Sequence, residues 1–258
     1  QSDPRLSQMS HLRLMDSKFA MRVIDQCADA GVASVVFASR GEPLLHPRAP
    51  ELMGYARSRG IVDIKLNTNG TIMNADLAQR LLKADISTIV FSVDSANPEI
   101  YERLRRRGKF ETILENIRTF NAAREAWEGS SRTRTRIHAV ISDTDQDPDQ
   151  DRAFWKGWAD EFSIRWEFPR LGIYDQERPT QWTRPCSLLW ERIYVWAHGE
   201  VSPCDSDYLA QLPLGQFEPE DPGSLLDIWK GGPIEELRRI HEGGQRAKLT
   251  PCRACPGY

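Results

Sequence analysis

Ala33-Ser-Val-Val-Phe-Ala38 running into Ser39-Arg-Gly-Glu-Pro43, and Asp63-Ile-Lys-Leu66 running into Asn67-Thr-Asn-Gly70, decide the fold. Each is a short apolar run that ends in a polar, glycine-bearing loop, and each is bracketed by segments of helical period. Upstream, Ser17–Ala30 carries Phe19, Val23, Ile24 and Cys27 at helical spacing and stops at Gly31. Between the two runs, Pro50–Arg59 opens on a proline and closes at Gly60. Downstream come a helix over Asn74–Ala84, a strand over Ser87–Val93, and helices over Pro98–Arg107 and Phe110–Trp127 parted at Gly108. Strands are expected at Arg134–Ile141 and Ile164–Phe168, with a helix over Phe154–Phe162 between them. Glu128–Thr133 and the acidic Asp143–Asp151 read as solvated loops. This alternation predicts βαβ units on a parallel sheet. Right-handed crossovers curl it into an α/β fold, a partial (β/α)6 TIM-like barrel.

The last third reads differently. A composition change near Leu171–Pro185 places a boundary, giving a barrel over 1–170 and a small C-terminal β-hairpin/helix module over 171–258. Arg192–Trp196 and Glu200–Ser202 flank the turn Ala197-His-Gly199, the pattern of a hairpin. Cys186 and Cys204 stand at its two ends and converge. Ser224–Lys230, with Ser224 as N-cap, and Pro233–Glu242 read as helices before Cys252-Arg-Ala-Cys255. Cys27, the fifth cysteine, sits in a helical pattern as an apolar filler. With no secretory context for disulfides, Cys186, Cys204, Cys252 and Cys255 point to a metal. Soft thiolates suit either a structural Zn(Cys)4 site or an iron–sulfur cluster.

The chain has 258 residues, 40% hydrophobic and 28% charged, with a formal net charge of -3. That balance carries no nucleic-acid footprint. Its longest apolar runs, such as Ile86–Val93, are strand-sized, so no membrane span is expected. Gln1–Arg13 is polar and lacks the apolar stretch of a signal peptide. A cytoplasmic protein is expected.

In a parallel barrel the working groups lie where strands end. Here the strand ends carry Ser39–Pro43, Asn67–Gly70, Ser92 with Asp94, and His138 with Val140, enough to ring one pocket. The ordered series Gly41-Glu-Pro-Leu-Leu-His-Pro47, Leu66-Asn-Thr-Asn-Gly-Thr71, Phe91-Ser-Val-Asp-Ser95 and Arg105-Arg-Arg-Gly-Lys-Phe110 resembles the radical S-adenosylmethionine (SAM) enzymes over about residues 15–170. The tail, from Pro185-Cys186 through Gly199-Glu-Val-Ser-Pro-Cys204 and Ser224-Leu-Leu-Asp-Ile-Trp229 to Cys252 and Cys255, resembles their cluster-binding extension. Four cysteines fit its shorter twitch form, with one fully ligated [4Fe–4S] cluster, and the tail is similar to that of the butirosin-pathway aminocyclitol dehydrogenase.

The resemblance implies roles residue by residue. Gly41, Glu42 and Pro43 would line the methionine amino group of SAM, where acceptors suit an ammonium. Asn67 and Asn69 would reach cofactor or substrate, Ser92 and Asp94 would lie near the ribose or methionine, and Val140 would pack near the adenine. Arg105 would pair with the SAM carboxylate. Cys186, Cys204, Cys252 and Cys255 would hold an auxiliary [4Fe–4S] cluster that relays electrons or shapes the pocket. Family members also carry Cys-x3-Cys-x2-Cys after the first strand, for a second [4Fe–4S] cluster that binds SAM. That spacing is absent here, and residues upstream of those given are expected to supply it. The implied chemistry is hydrogen-atom abstraction by a 5′-deoxyadenosyl radical, with a flavodoxin or ferredoxin as reductant.

Three fates of the substrate radical stand open. Oxidation of an alcohol carbon in a small sugar- or aminocyclitol-like substrate needs a base, for which Glu167, His138 and Asp94 are the candidates. Arg165, Trp166, Glu167, Arg170 and Tyr174 follow the last strand and are placed to grip such a substrate. Epimerisation needs a free thiol, and peptide modification goes with a longer cysteine tail. A non-catalytic scaffold with a structural zinc remains the reading from another class.

Overall fold

The computed structural model describes residues 14–38, 41–128, 132–167, 172–175 and 183–255. The chain divides into two compact units, Gly31–Glu167 and a second made of Gln1–Ala30 with Phe168–Tyr258.

The first unit is a five-stranded sheet of β1 (Ser34–Phe37), β2 (Asp63–Thr68), β3 (Thr88–Ser92), β4 (Arg134–Ile141) and β5 (Glu161–Trp166). All neighbours are parallel and the spatial order is the sequence order. A sheet that adds each strand on the same side never reverses its winding, so it curls as part of a barrel. The helices α2 (Ala49–Ser58), α3 (Ala75–Lys83), α4 (Pro98–Leu104), α5 (Phe110–Glu125) and α6 (Pro148–Trp155) alternate with the strands. Ile64, Leu66, Ile89, Phe91, Ile137 and Ala139 are fully buried on one face of the sheet. Phe91 meets Phe120 of α5 edge-on, with ring centroids 5.9 Å apart. Each of these isoleucine, leucine and phenylalanine side chains contributes about 1.5–3 kcal/mol by leaving water. The alternate residues Lys65, Asn67, His138 and Arg165 are half-buried or exposed on the opposite face.

Local chemistry sets the boundaries. The Asn74 side chain accepts from the Leu77 amide and starts α3. The expected helix over Phe154–Phe162 is corrected: the helix is α6, eight residues long, and β5 begins at Glu161. Asp147 caps it by accepting from Asp149 N and Gln150 N, Pro148 takes the first position, and Asp149 and Asp151 favour the positive end of the helix dipole. The acidic stretch is therefore half helix, not all loop. Gly157, at φ +92°, then turns the chain towards β5.

The second unit contains α1 (Ser17–Asp29), α7 (Leu188–Glu191), α8 (Ser224–Lys230), α9 (Gly232–Glu242) and an antiparallel sheet of β6 (Tyr194–Val195), β7 (Glu200–Ser202) and β8 (Gly215–Gln216). The expected hairpin is β6–β7, and β8 adds a third strand to it. Leu189, Val201, Leu214, Phe217, Leu225, Ile234 and Leu237 form its core, and Phe19, Val23 and Cys27 of α1 pack on them. Phe19 meets Phe217 edge-on at 5.1 Å. The buried Gln26 amide donates to Asp221 O at 2.5 Å and accepts from Leu225 N at 2.9 Å. Where the sequence places α1 with the barrel, its contacts place it with the tail. Ser224 is not a cap. It is the first residue of α8, behind Gly223, and its hydroxyl accepts from Glu218 N at 3.0 Å.

Candidate active site and four-thiol centre

The ends of β1 and β2 are tied together by one carboxylate. Glu42 Oε1 accepts from Thr68 Oγ1 at 2.7 Å and Leu44 N at 3.1 Å, and its Oε2 accepts from Asn69 N at 2.7 Å. Asn69 folds back, its Oδ1 accepting from Thr71 N and Thr71 Oγ1. Gly70 is forced to φ +69°, where an added Cβ would strike Ile113 and Phe91. Asn116 of α5 holds this turn by donating to Gly70 O and Thr71 O. The Glu42 carboxylate thus works as a clamp between two strand-end loops, with Gly41 and Pro43 on either side. Asn67 stands exposed on β2. Ser39, Arg40 and Arg170 lie outside the described residues.

Strand register brings the next candidates into rows. Ser92, His138 and Ser163 are neighbours across β3, β4 and β5, and Val140 pairs with Arg165 one step further. His138 Nδ1 stands 3.0 Å from Ser163 Oγ. Burial, then the Arg165 charge, holds His138 below its ordinary 6.5, so the ring is neutral at neutral pH. Glu167 continues past β5, its amide donating to Ile141 O at 2.7 Å while its side chain is exposed.

Asp94 and Arg105 take each other. Asp94 Oδ2 accepts from Arg105 Nε at 2.5 Å and Oδ1 from Arg105 Nη2 at 2.9 Å, with Val140 N donating to Oδ1 at 3.1 Å. Burial works against the Arg105 charge, but the fork to Asp94 outweighs it and raises the Arg105 pKa. Both groups expected to meet SAM are therefore joined in a fork that fixes the loop after β3 to β4. Gln146, from the acidic stretch read as loop, is a contributor that sequence reasoning missed. Its amide donates to Asp94 O at 2.6 Å and Val140 O at 2.9 Å and accepts from Ser142 N and Asp143 N. The only signal for it was the Asp147-Pro148 helix start just beyond.

Tyr174 belongs to the tail unit. Its hydroxyl donates to Asp207 Oδ1 at 2.9 Å and accepts from Leu209 N at 2.8 Å, and the same aspartate accepts from Gln211 N and Leu212 N. That gives it a structural task in place of the expected grip on substrate.

Cys186, Cys204, Cys252 and Cys255 line one cavity, together with Leu188, Leu212, Ser206, His241 and Arg246. All four are free thiols. Burial, then the neighbouring Cys255, pushes Cys252 up to about 12. Burial and then Cys252 push Cys204 well above the usual thiol value. Burial also raises Cys186. Thiols crowded this way lose their protons only to a compensating cation. The cavity wall also holds donors with no partner among the described residues: His241 Nε2, Arg246 Nε and Ser206 Oγ. Unsatisfied donors around four thiols fit an anionic sulfur-rich group. Among the described residues, no group of three or more His, Cys, Asp or Glu closes on a single metal ion. A zinc ion with about 2.3 Å bonds would draw its thiolates tightly together, whereas an iron–sulfur cube keeps them wider apart.

Residues 4–154 match the family model described as Radical SAM superfamily, and residues 186–256 match SPASM, an iron–sulfur cluster-binding domain. The GTP 3',8-cyclase of Desulforamulus reducens is 31% identical over 113 residues, 43% of this chain and 34% of that protein. The AdoMet-dependent heme synthase of Methanosarcina barkeri is 31% identical over 105 residues, 40% of this chain and 30% of that protein. These matches span only about a third of the relatives' lengths. Among solved structures, BtrN in complex with AdoMet and 2-DOIA shares the fold with a TM-score of 0.60 at 17% identity, over 97% of this chain and 85% of that one. Streptococcus suis SuiB bound to precursor peptide SuiA gives 0.67 at 17% identity, over 94% and 63%. The anSMEcpe structure with AdoMet and a peptide gives 0.65 at 15%, over 95% and 81%. No described helix is long and apolar enough to cross a membrane. With its strand-end series inside one match and its four-thiol cavity inside the other, the chain belongs to the radical SAM superfamily, whose members use SAM and a [4Fe–4S] cluster, and carries a SPASM-type iron–sulfur domain.

Proposed function

We propose that this protein is a radical SAM oxidoreductase that oxidises an alcohol carbon of a small, polar, sugar- or aminocyclitol-like substrate. The observation that carries the reading is the use of the cysteines. Cys186, Cys204, Cys252 and Cys255 line a single cavity, so one cluster there has a thiolate for every iron and no open position for substrate. Such a centre suits electron transfer. The remaining thiol, Cys27, packs against the core of Val201 and Phe217, and burial pushes it up to about 11. A thiol packed against that core is not placed as a hydrogen-atom donor to substrate, which disfavours epimerisation.

Bound SAM supplies a hydrogen-atom acceptor, and the tail cluster, an electron acceptor. The chain's own residues supply the rest. The loops fixed by Glu42, Asn69 and the Asp94–Arg105 fork shape the strand-end face. The oxygens of Asp94 are engaged by Arg105 and Val140 N, which leaves neutral His138 and exposed Glu167 as acceptors for the hydroxyl proton. One hydrogen atom, one proton and one electron leave the carbinol, and a carbonyl remains. Arg165, in the row next to that of His138 on the same sheet face, offers a cation to hydroxyl or carboxyl groups of the substrate. A flavodoxin or ferredoxin would supply reducing electrons.

Peptide modification is the second reading, favoured by the fold match to SuiB and anSMEcpe, whose structures hold peptides. The test is anaerobic expression from the gene, with iron and sulfide counted and polyols, aminocyclitols and peptides offered together with SAM in deuterated water. About eight irons per chain, four of them held by the tail, with loss of two substrate hydrogens, is the expected result. A redox-neutral product carrying solvent deuterium refutes the dehydrogenase reading.

A further inference from the structure

His241 lies on α9 and is 1% exposed. Its Nδ1 accepts from the Cys186 backbone N–H at 3.2 Å. A ring nitrogen that accepts carries no proton, so in the neutral ring the proton sits on Nε2. Nε2 is buried and has no hydrogen-bond partner among the described residues. The ring lines the cavity of Cys186, Cys204, Cys252 and Cys255. A buried donor left unmade costs about 1–3 kcal/mol. Such a group is retained where a ligand atom completes it.

We propose that His241 is a hydrogen-bond donor, through Nε2–H, to the iron–sulfur group held by these four cysteines, and that it holds the group's reduction potential up. The inference rests on the cluster reading of the four-thiol cavity. Hydrogen bonds to the sulfurs favour the reduced, more negative form of a cluster, so removing a donor makes the cluster harder to reduce. The Nδ1 contact to Cys186 N fixes the ring plane, so the donor is held in place by the same segment that supplies the first ligand. Arg246 flanks it, with one amino group on Cys255 O at 3.1 Å and its Nε unpartnered. Its positive charge acts in the same direction.

The test is an EPR-monitored redox titration of the anaerobically purified holoenzyme, with the tail cluster identified as the one whose signal SAM does not alter. His241→Leu removes both hydrogen bonds. His241→Gln keeps an acceptor for Cys186 N and a donor for the cavity. At the wild-type midpoint, the leucine variant is expected to show a reduced-to-oxidised ratio at least tenfold lower, a negative shift of about 59 mV for a one-electron couple. The glutamine variant is expected to recover most of that. Pulsed EPR of wild-type protein labelled with 15N-histidine adds a readout that needs no folded variant, with a weak histidine nitrogen coupling to the reduced tail cluster as its expected result. A wild-type tail that binds no iron overturns the cluster reading and this inference together. An iron-loaded tail with no histidine coupling, or with a leucine-variant midpoint equal to wild type, overturns this inference alone.

Discussion

Asp94→Asn replaces one oxygen of the fork with an amide nitrogen that faces the Arg105 Nε–H, donor against donor. The remaining oxygen still serves Val140 N, so the substitution removes chiefly the charge pair. At about 4 Å between charge centres and an effective dielectric of about 20, the attraction is about 4 kcal/mol. The pair is not sealed off: the side chains are 12% and 30% exposed. Desolvation of both partners offsets part of the gain, so breaking it is expected to cost about 2–3 kcal/mol, below the figure for a fully buried pair. With a urea m-value of about 2 kcal/mol/M, the unfolding midpoint of the Gly31–Glu167 unit falls by about 1 M. Arg105→Met alone costs a similar amount, and the double variant little more, giving a coupling of about 2 kcal/mol. Far-UV circular dichroism in urea reads all four corners of the cycle. A coupling below about 0.5 kcal/mol refutes the idea that this fork joins β3 to β4. Turnover adds a second reading. Arg105 takes no proton, so equal activity losses in the two single variants mark a positioning pair and not a base.

Four further outcomes follow from the geometry. Gly70→Ala, forced into the left-handed region against Ile113 and Phe91, is expected to lose about 2 kcal/mol or more in urea unfolding. Phe217→Ala empties the tail core beside Phe19 and is expected to cost about 3–5 kcal/mol, read as a fall in the tail's unfolding midpoint. Cys252→Ser is expected to strip the tail of iron in a colorimetric assay, while Cys27→Ala leaves the iron count unchanged. His138, depressed below 6.5, takes its proton more readily in the unfolded chain, so its contribution to stability is present above pH 6.5 and lost as pH falls through the folded value. His138→Gln is expected to flatten that loss in unfolding measured across acidic pH.

Elements governed by near-neighbour rules were legible in the sequence. The helix that starts behind Asn74 and the strand at Arg134–Ile141 are set locally, and β4 runs over Arg134–Ile141 as expected. The gathering of four cysteines in one cavity was legible because thiolate chemistry restricts where cysteines collect. What stayed hidden depends on distance along the chain or on competition between partners. Asp147-Pro148 starts a helix inside a stretch whose charge reads as loop, because capping and dipole energies outweigh solvation there. Nothing near Phe19 or Gln26 announces that their partners are Phe217 and Leu225. Motif resemblance gave Asp94 and Arg105 to the cofactor, and it did not announce that a carboxylate and a guanidinium eleven residues apart at one strand end also pair with each other.

The descent of α1 into the tail core makes that unit discontinuous, with the whole parallel sheet inserted between its two pieces. The contact from Gln26 to Leu225 spans 199 residues. Closing so long a loop in an unfolded chain costs about 2 kcal/mol more than closing one of twenty residues. During synthesis the sheet has all its strands long before α1 finds its partners, so α1 waits with Phe19, Val23 and Cys27 uncovered until the tail emerges. A cluster held by Cys186, Cys204, Cys252 and Cys255, as proposed, would be loaded only once the last two have emerged. Chains caught before those residues emerge expose an apolar helix as well as unliganded thiols, a natural target for chaperones and for oxidation.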